Sequence, residues 1–192
     1  MGSAQSYPGL TEELLEEYAS LTYLSKGEIL YLMKKFYSMS PEKIDADFHH
    51  RFHKDEILAK FPVLRNNPFH DRLFRVFSSQ RDNCFSFEDM VDLCSAMSAE
   101  CPHEVKANWA FKIFDLDEDN QISDMDISDI IDRLTWDPSS PQNVLDKQSK
   151  KKIADVILKE IKLDGTSSIG INEFQIMLTK IPEFRTAFYF RL

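Results

Sequence analysis

One twelve-residue segment decides the fold: Asp115-Leu116-Asp117-Glu118-Asp119-Asn120-Gln121-Ile122-Ser123-Asp124-Met125-Asp126. Acidic residues stand at its positions one, three, five and twelve, and an apolar residue stands at position eight. This is the ligand spacing of an EF-hand loop, which also uses the backbone carbonyl of position seven and the side chain of position nine. The candidate metal ligands are therefore Asp115, Asp117, Asp119, Gln121, Ser123 and Asp126.

Two residues of this loop depart from the usual EF-hand pattern. Asn120 stands at position six in place of Gly, and Asn tolerates the left-handed turn better than most residues. Asp126 stands at position twelve in place of Glu, and its shorter side chain reaches an ion less readily with both oxygens. The lower coordination number suits Mg2+ better than Ca2+. We therefore expect one ion in this loop, Mg2+ at rest, with Ca2+ competing when its concentration rises.

The same spacing recurs at residues 45–56, 78–89 and 162–173, which makes four copies of one unit. In every copy position eight is apolar, position twelve is acidic, and apolar residues flank the loop. EF-hands pair through short β-contacts between their eighth residues, so four copies give two pairs. The predicted fold is all-α, with four EF-hand helix–loop–helix units in two lobes, short β-contacts between paired loops, an extra N-terminal helix and a C-terminal tail helix.

Helix signals and a break near residues 99–103 define the predicted domains. Thr11 is a candidate cap of a short helix, and Ser25 with Glu28 forms a capping box that opens the next helix. A linker rich in Pro and Ser at 136–143 separates the third and fourth units. The predicted domains are an N-terminal tail with an acylation motif at 1–10, an N-lobe with two degenerate EF-hands at 11–99, a C-lobe with EF-hands three and four at 100–181, and a tail helix at 182–192.

The second and fourth loops are poorer in ligands than the third. The fourth loop keeps Asp164 at position three and Glu173 at position twelve, which makes it a weak second metal site. Lys162 stands where the first carboxylate belongs, and its charge repels a cation. We therefore expect the fourth loop to be an empty structural partner. The second loop keeps too little negative charge for an ion.

The first loop contains three histidines, His49, His50 and His53. Histidine is a common zinc ligand, so these residues are a candidate zinc site. The alternative is a set of exposed polar residues on a degenerate loop, and we favour it. His50 and Arg51 also crowd the turn of this loop, which contains no Gly.

Composition narrows the class of protein. The net charge of -9 argues against nucleic acid as a partner. The three cysteines have no metal-site spacing and fit a reducing, cytoplasmic compartment. The sequence contains no nucleophile–base motif, phosphate loop or zinc-protease helix, so we do not expect an enzyme.

The N-terminus carries a lipidation motif. Met1-Gly2-Ser3-Ala4-Gln5-Ser6 matches the N-myristoylation pattern, with Gly2 as the acceptor. The alternative is a plain disordered tail. One acyl chain gives only marginal membrane binding, and the acidic residues that follow supply no polybasic second signal. We therefore expect a cytoplasmic protein whose contact with the membrane is peripheral, and either reversible or assisted by a partner.

Beyond the loops, the chain contains Gly2 and a series of segments whose combined order is specific: Leu21-Thr22-Tyr23-Leu24, Pro62-Val63-Leu64-Arg65-Asn66-Asn67-Pro68-Phe69, Arg72-Leu73-Phe74-Arg75-Val76-Phe77-Ser78, Phe85-Ser86-Phe87-Glu88-Asp89, Ala110-Phe111-Lys112-Ile113-Phe114-Asp115 and Pro182-Glu183-Phe184. On these segments the chain resembles the calcium- and integrin-binding protein family over nearly its whole length. A generic EF-hand protein would share the loops but not the Asn-Pro-Phe segment or the tail.

The resemblance implies two inactive N-terminal hands and two cation-binding C-terminal hands. It also implies Asp at position twelve of the third loop, which Asp126 satisfies. Lys162 departs from the family members with two working sites, which carry Asp at that position. The resemblance further implies an adaptor that binds an amphipathic helix from a membrane protein's cytoplasmic segment, such as an integrin α tail. Other family members are subunits of mechanosensory channels.

A groove for such a helix would lie in the C-lobe. Its expected lining is Leu134, Ile153, Ile157, Met177 and Leu178. The alternative is that these residues are simply core. The apolar tail residues Phe184, Phe188, Phe190 and Leu192 are expected either to form a lid that a partner displaces or to complete the lobe as a permanently docked helix.

The predicted function is therefore a regulatory adaptor that binds Mg2+ or Ca2+ and a helix of a membrane protein. One rival is a constitutive structural subunit whose ion only stabilises the C-lobe. The other is a simple calcium buffer, although a buffer would need several strong loops and this chain has one.

Overall fold

The computed structural model describes residues 7–136, 145–161, 168–181, 184 and 188. This described part contains eleven helices and four two-residue strands, which form two antiparallel pairs. It divides into two compact units, one ending at Cys101 and the other beginning at Pro102. Among the described residues, no helix is both long and apolar enough to cross a bilayer.

The first unit contains seven helices and two strands in its described residues. They are α1 (Glu12–Leu21), α2 (Lys26–Tyr37), α3 (Pro41–Ala46), β1 (Phe52–His53), α4 (Lys54–Lys60), α5 (Pro62–Arg65), α6 (His70–Phe77), β2 (Cys84–Phe85) and α7 (Phe87–Ala96). The second unit contributes α8 (His103–Phe114), β3 (Ile122–Ser123), α9 (Asp124–Thr135), α10 (Lys147–Ile161), β4 (Ser168–Ile169) and α11 (Ile171–Thr179).

The loops pair as the repeat predicts. Phe52 lies opposite Phe85 in the β1–β2 pair, and Ile122 lies opposite Ile169 in the β3–β4 pair. All four residues stand at position eight of their loops, and all four are buried. The predicted all-α EF-hand fold with two lobes and β-contacts between paired loops is confirmed.

The helix start signals read from the sequence are present in the structure. Thr11 accepts a hydrogen bond from the backbone N–H of Leu14 at 3.1 Å. Ser25 and Glu28 form the expected reciprocal capping box at the start of α2. Helix α2 ends at Tyr37, and Pro41 begins α3. Proline suits that first helical position, where no backbone N–H is needed.

Aromatic residues fill the core of the first unit. Phe74 stacks on Phe85 with ring centroids 4.1 Å apart, and Phe36 meets Phe52 edge-on at 5.1 Å. Both position-eight residues thus anchor α2 and α6 to the paired loops.

Several predicted features lie outside the described residues. These are the acylation site Gly2, the linker residues 137–143 and the fourth-loop residues 162–167. Of the predicted tail helix at 182–192, only Phe184 and Phe188 are described.

Phe85→Ala should destabilise the first unit by about 3–5 kcal/mol, because it leaves a cavity between Phe74 and the β1–β2 pair. Urea unfolding of the full chain measures the change. Leu21→Ala is the matched control, since Leu21 is 74% exposed and its truncation should cost no more than about 0.5 kcal/mol. Equal losses in the two variants would contradict the central place of Phe85 in the core.

Candidate metal centre

The third loop joins the end of α8 to the start of α9. The backbone N–H of Asp115 donates to the carbonyl of Phe111 at 2.8 Å, which closes the last turn of α8. Ser123 caps α9 in a reciprocal capping box with Asp126. Between these ends the chain turns sharply, with φ of +62° at Glu118 and +66° at Asn120. Asn120 therefore adopts the left-handed conformation that position six requires.

Asp126 closes the loop on itself. One carboxylate oxygen, Oδ1, accepts from the backbone N–H of Leu116 at 3.0 Å. The other, Oδ2, accepts from the backbone N–H and the hydroxyl of Ser123 at 2.8 and 2.7 Å. These bonds orient the buried carboxylate towards the start of the loop.

Asp115 is the second buried carboxylate of the loop. Its Oδ1 accepts from the backbone N–H of Asp119 at 3.1 Å, and its Oδ2 accepts from that of Asn120 at 2.9 Å. Burial raises the pKa of the Asp115 carboxyl, these two N–H bonds lower it, and the negative charges of Asp119 and Asp126 raise it further, so the net shift is upward. The site therefore holds negative charge at an electrostatic cost.

Three carboxylates converge within the loop. Oxygen atoms of Asp115, Asp117 and Asp126 all lie within 4.8 Å of one another, so this acidic cluster could hold a metal ion. Asp119 is not one of these three, and its Oδ1 accepts from the backbone N–H of Gln121 at 2.8 Å. Carboxylate oxygens are the ligands that Mg2+ and Ca2+ prefer.

The other two predicted ligands also have protein partners. The side chain of Gln121 reaches the paired fourth loop, where its Oε1 accepts from the hydroxyl of Ser168 at 3.0 Å. The hydroxyl of Ser123 is engaged by Asp126, as described above. A metal-ligand role for either residue stays a prediction.

Only one predicted ligand of the weak fourth site can be placed. Glu173 lies in the first turn of α11, and its Oε2 accepts from the backbone N–H of Gly170 at 2.7 Å. Asp164 lies outside the described residues.

The three histidines of the first loop have separate partners. His49 Nδ1 lies 2.7 Å from Glu88 Oε1, and the imidazole of His53 caps α4. The ring of His50 packs edge-on against Phe52 at 4.7 Å. This arrangement favours polar and packing roles over a shared zinc ion.

The predicted groove residues differ in exposure. Leu134 is 62% exposed and Ile153 is 39% exposed. Ile157 and Met177 pack partly buried against the core of the second unit, and Leu178 lies within that core. Val156 and Ile176 are also exposed apolar residues, although they are not among the predicted groove residues. Their signal was an excess of apolar residues in α10 and α11 over those that one buried face requires.

The two described tail residues lie against the second unit. Phe184 belongs to its core, meets His103 edge-on at 5.4 Å and stacks on Phe188 at 5.5 Å. The buried Lys106 donates from Nζ to the backbone carbonyl of Phe188 at 3.2 Å, a contact that the sequence did not signal. Phe190 and Leu192 lie outside the described residues.

Paired helix–loop–helix units with converging carboxylates define an EF-hand protein. No family model matches the chain. A human protein named calcium and integrin-binding family member 2 is 33% identical over 195 aligned residues, which cover all of both chains. A Danio rerio protein of that name is 30% identical over the whole of both chains, and a Drosophila melanogaster one is 30% identical over 95% of this chain and 96% of its own. The chain belongs to the calcium and integrin-binding family.

The raised pKa of Asp115 can be measured in metal-free protein. We expect its carboxyl to titrate above the ordinary aspartate value of about 3.9, as followed by carbon-13 NMR. Because the folded state holds this proton more tightly than the unfolded chain, the contribution of this carboxyl to the stability of the metal-free second unit should rise as the pH falls through its folded pKa. Asp126→Asn should lower the Asp115 pKa by removing a neighbouring negative charge. A titration at or below the ordinary value would show that the two N–H bonds outweigh burial.

Proposed function

We propose that this chain is a non-enzymatic regulatory adaptor. Its third EF-hand binds one Mg2+ or Ca2+ ion, and its second unit binds an amphipathic helix from the cytoplasmic segment of a membrane protein, of the integrin α or mechanosensory channel type. The observation that carries the proposal is the convergence of Asp115, Asp117 and Asp126 in a chain that aligns end to end with relatives named for binding calcium and integrin.

The electrostatics of the loop support binding of a cation. Asp115 and Asp126 are 5% and 4% exposed, and buried carboxylates are costly unless a positive charge balances them. A divalent cation supplies that balance, with Asp119, Gln121 and Ser123 as the further ligands that we propose. The short Asp126 side chain favours the compact octahedral shell of Mg2+.

Ion binding would also couple two helices. Asp115 directly follows α8 as its C-cap, and Asp126 lies in the first turn of α9. One ion bound to both would fix the angle between these helices, which is how sensor EF-hands present an apolar groove.

Exposed apolar residues of the second unit supply a surface for the partner. Leu134 on α9 and Ile153 on α10 are exposed, and so are Val156 and Ile176. An amphipathic helix binds by laying its apolar face into such a groove, with anchors spaced three or four residues apart. Ile157, Met177 and Leu178 would form the floor of this groove.

The tail is the proposed lid. Phe184 and Phe188 occupy apolar surface of the second unit, and Phe190 and Leu192 continue the same apolar pattern in the sequence. If the partner helix takes the place of the tail on the second unit, the partner can bind only when the tail is displaced. An acyl chain on Gly2 would add a weak, reversible membrane contact near the partner's cytoplasmic segment.

Calorimetric titration tests the metal part of the proposal. With Mg2+ and then Ca2+, the full chain should show one strong site. Asp115→Ala should weaken that site by at least about 100-fold, since loss of even an outer-shell partner commonly costs 10- to 100-fold. Asp129→Ala is the matched control, because Asp129 is an exposed aspartate on the neighbouring helix α9. Two strong Ca2+ sites would contradict our view of Lys162, and unchanged affinity in Asp115→Ala would exclude the third loop.

Removal of residues 182–192 tests the lid. A synthetic peptide with the sequence of an integrin α cytoplasmic segment should bind the shortened chain about 5- to 150-fold more tightly, the usual range of coupling between two sites. Leu134→Asp and Val156→Asp should weaken peptide binding in both chains, whereas Leu21→Asp in the first unit should not. Reduced or unchanged affinity after tail removal would contradict the lid.

The rival functions predict different outcomes in the same experiments. The burial of Leu178 and Phe184 in the core favours a constitutive structural subunit, in which the ion only stabilises the fold. That reading requires partner binding that persists in Asp115→Ala once its fold is rescued. A calcium buffer would bind the ion without any gain in binding of a hydrophobic dye.

A further inference from the structure

The guanidinium group of Arg51 lies inside the second EF-hand loop. From Nη2 it donates to Ser78 Oγ, Asp82 Oδ1 and the carbonyl oxygen of Cys84 at 2.8 to 2.9 Å. From Nη1 it donates to Asp89 Oδ2 at 2.8 Å, and from Nε it donates to Asp82 Oδ2 at 3.0 Å. A further bond joins Nη1 to the neighbouring hydroxyl of Ser79 at 2.9 Å.

These acceptors are the ones that an EF-hand offers to its ion. Ser78, Asp82 and Asp89 stand at positions one, five and twelve of the loop, and the carbonyl of Cys84 is the backbone ligand of position seven. EF-hands bind their cation through these four positions, together with positions three and nine. The guanidinium therefore contacts four of the six positions that would bind a metal ion.

The backbone of the second loop has the same turns as the third. Its positions four and six, Arg81 and Asn83, have φ of +54° and +58°. The corresponding residues of the third loop, Glu118 and Asn120, have φ of +62° and +66°. Non-glycine residues rarely adopt such angles, so their recurrence at the same two positions shows that the second loop keeps the winding of an EF-hand.

The closing carboxylate is also held in the same way. Asp89 accepts from the backbone N–H groups of Ser79 and Ser86, both at 3.0 Å. These donors stand at positions two and nine, which are the positions whose N–H groups Asp126 binds in the third loop. The carboxylate at position twelve of the second loop is therefore already held by the backbone as it is in the third loop.

The pairing of the first two loops places Arg51 beside the second EF-hand loop. Arg51 is position seven of the first loop and directly precedes Phe52, which pairs with Phe85 of the second loop. Position seven of the third loop behaves alike, since the Gln121 side chain reaches Ser168 of the paired fourth loop. The Arg51 side chain is longer than that of Gln121, so its charged group lies among the ligand positions of the second loop.

The charges match. Asp89 is buried, with a side chain 3% exposed, and the Arg51 side chain is only 15% exposed. Arg51 hydrogen-bonds Asp82 and holds the pKa of that carboxyl well below its ordinary value. Arginine keeps its charge at every physiological pH, so this cation is permanent.

We propose that Arg51 is a tethered cation that occupies the second EF-hand in place of a metal ion, which we call its loading role. The first unit therefore holds an ion-bound arrangement without any divalent ion. The loop beneath it is a latent divalent-cation site, which removal of the Arg51 side chain opens. This inference is independent of the proposed function of the third loop, because its ligands and its readouts all lie in the first unit.

The native chain provides the first test. In nitrogen-15 NMR spectra of the full chain, the amide signals of Ser79 and Ser86 report on the closing carboxylate of the second loop. They should not move when the protein is taken from EDTA to millimolar Ca2+, whereas signals of the second unit serve as the internal record that Ca2+ was added. Shifts of the Ser79 and Ser86 signals in native protein would overturn the proposal.

Arg51→Met provides the second test, because it removes the charge and keeps an unbranched apolar stem. In EDTA the first unit should melt at a temperature roughly 10 °C lower than in the native chain, because removing one partner leaves Asp89 buried without a cation. The amide signals of α7 measure this melting. Millimolar Ca2+ should restore part of the loss and shift the Ser79 and Ser86 signals, at the weak affinity expected of a loop with two carboxylates. Arg65→Met, at an exposed arginine of α5, is the control. It should neither lower the melting temperature of the first unit nor make the Ser79 and Ser86 signals respond to Ca2+.

Arg51→Lys keeps the charge and completes the series. It should fold and remain unresponsive to Ca2+ at the Ser79 and Ser86 signals. If the first unit has the same melting temperature in Arg51→Met and Arg65→Met in EDTA, the loading role is overturned. If Arg51→Met fails to fold even in millimolar Ca2+, the latent site is overturned, and a Ca2+-responsive Arg51→Lys would then overturn the loading role as well.

Discussion

Each unit depends on the antiparallel pairing of its two EF-hand loops. Phe52 with Phe85, and Ile122 with Ile169, join the loops through buried residues at position eight. The same pairing carries the position-seven side chains of the first and third loops, Arg51 and Gln121, across to the neighbouring loop, where they make polar contacts. One short β-contact therefore positions both the apolar core and the polar chemistry of each unit. Without it, neither loop would have a fixed partner.

The second and third loops present the same electrostatic problem, which is a buried carboxylate at position twelve. The second loop meets it within the chain, because the guanidinium of Arg51 bonds directly to Asp89. The third loop brings Asp115 and Asp117 close to Asp126, which adds negative charge where the second loop has a cation. If both proposals hold, a change in divalent cation acts on the second unit alone. The first unit would then be a fixed platform rather than a sensor.

The second unit combines a packed core with uncovered apolar surface. Phe184 extends the core beyond α11, and buried Lys106 ties the backbone at Phe188 to α8. Leu134 and Val156 remain exposed beside that core. An adaptor needs both properties, because a partner helix gains affinity only from apolar surface that the unit's own residues leave available or release.

The sequence by itself determined the four repeats, the positions of the loops, the pairing at position eight and the family, because ligand spacing and apolar flanks are local patterns. It also placed Asp115, Asp117 and Asp126 in one loop. Only the tertiary structure decided that Leu178 is core while Ile176 is exposed, since both are apolar residues of one helix. It alone revealed that the guanidinium of Arg51 lies in the second loop, whereas the sequence suggested only that Arg51 crowds its own turn. The reason is physical: Arg51 acts on a loop about thirty residues away, and only strand pairing brings the two together.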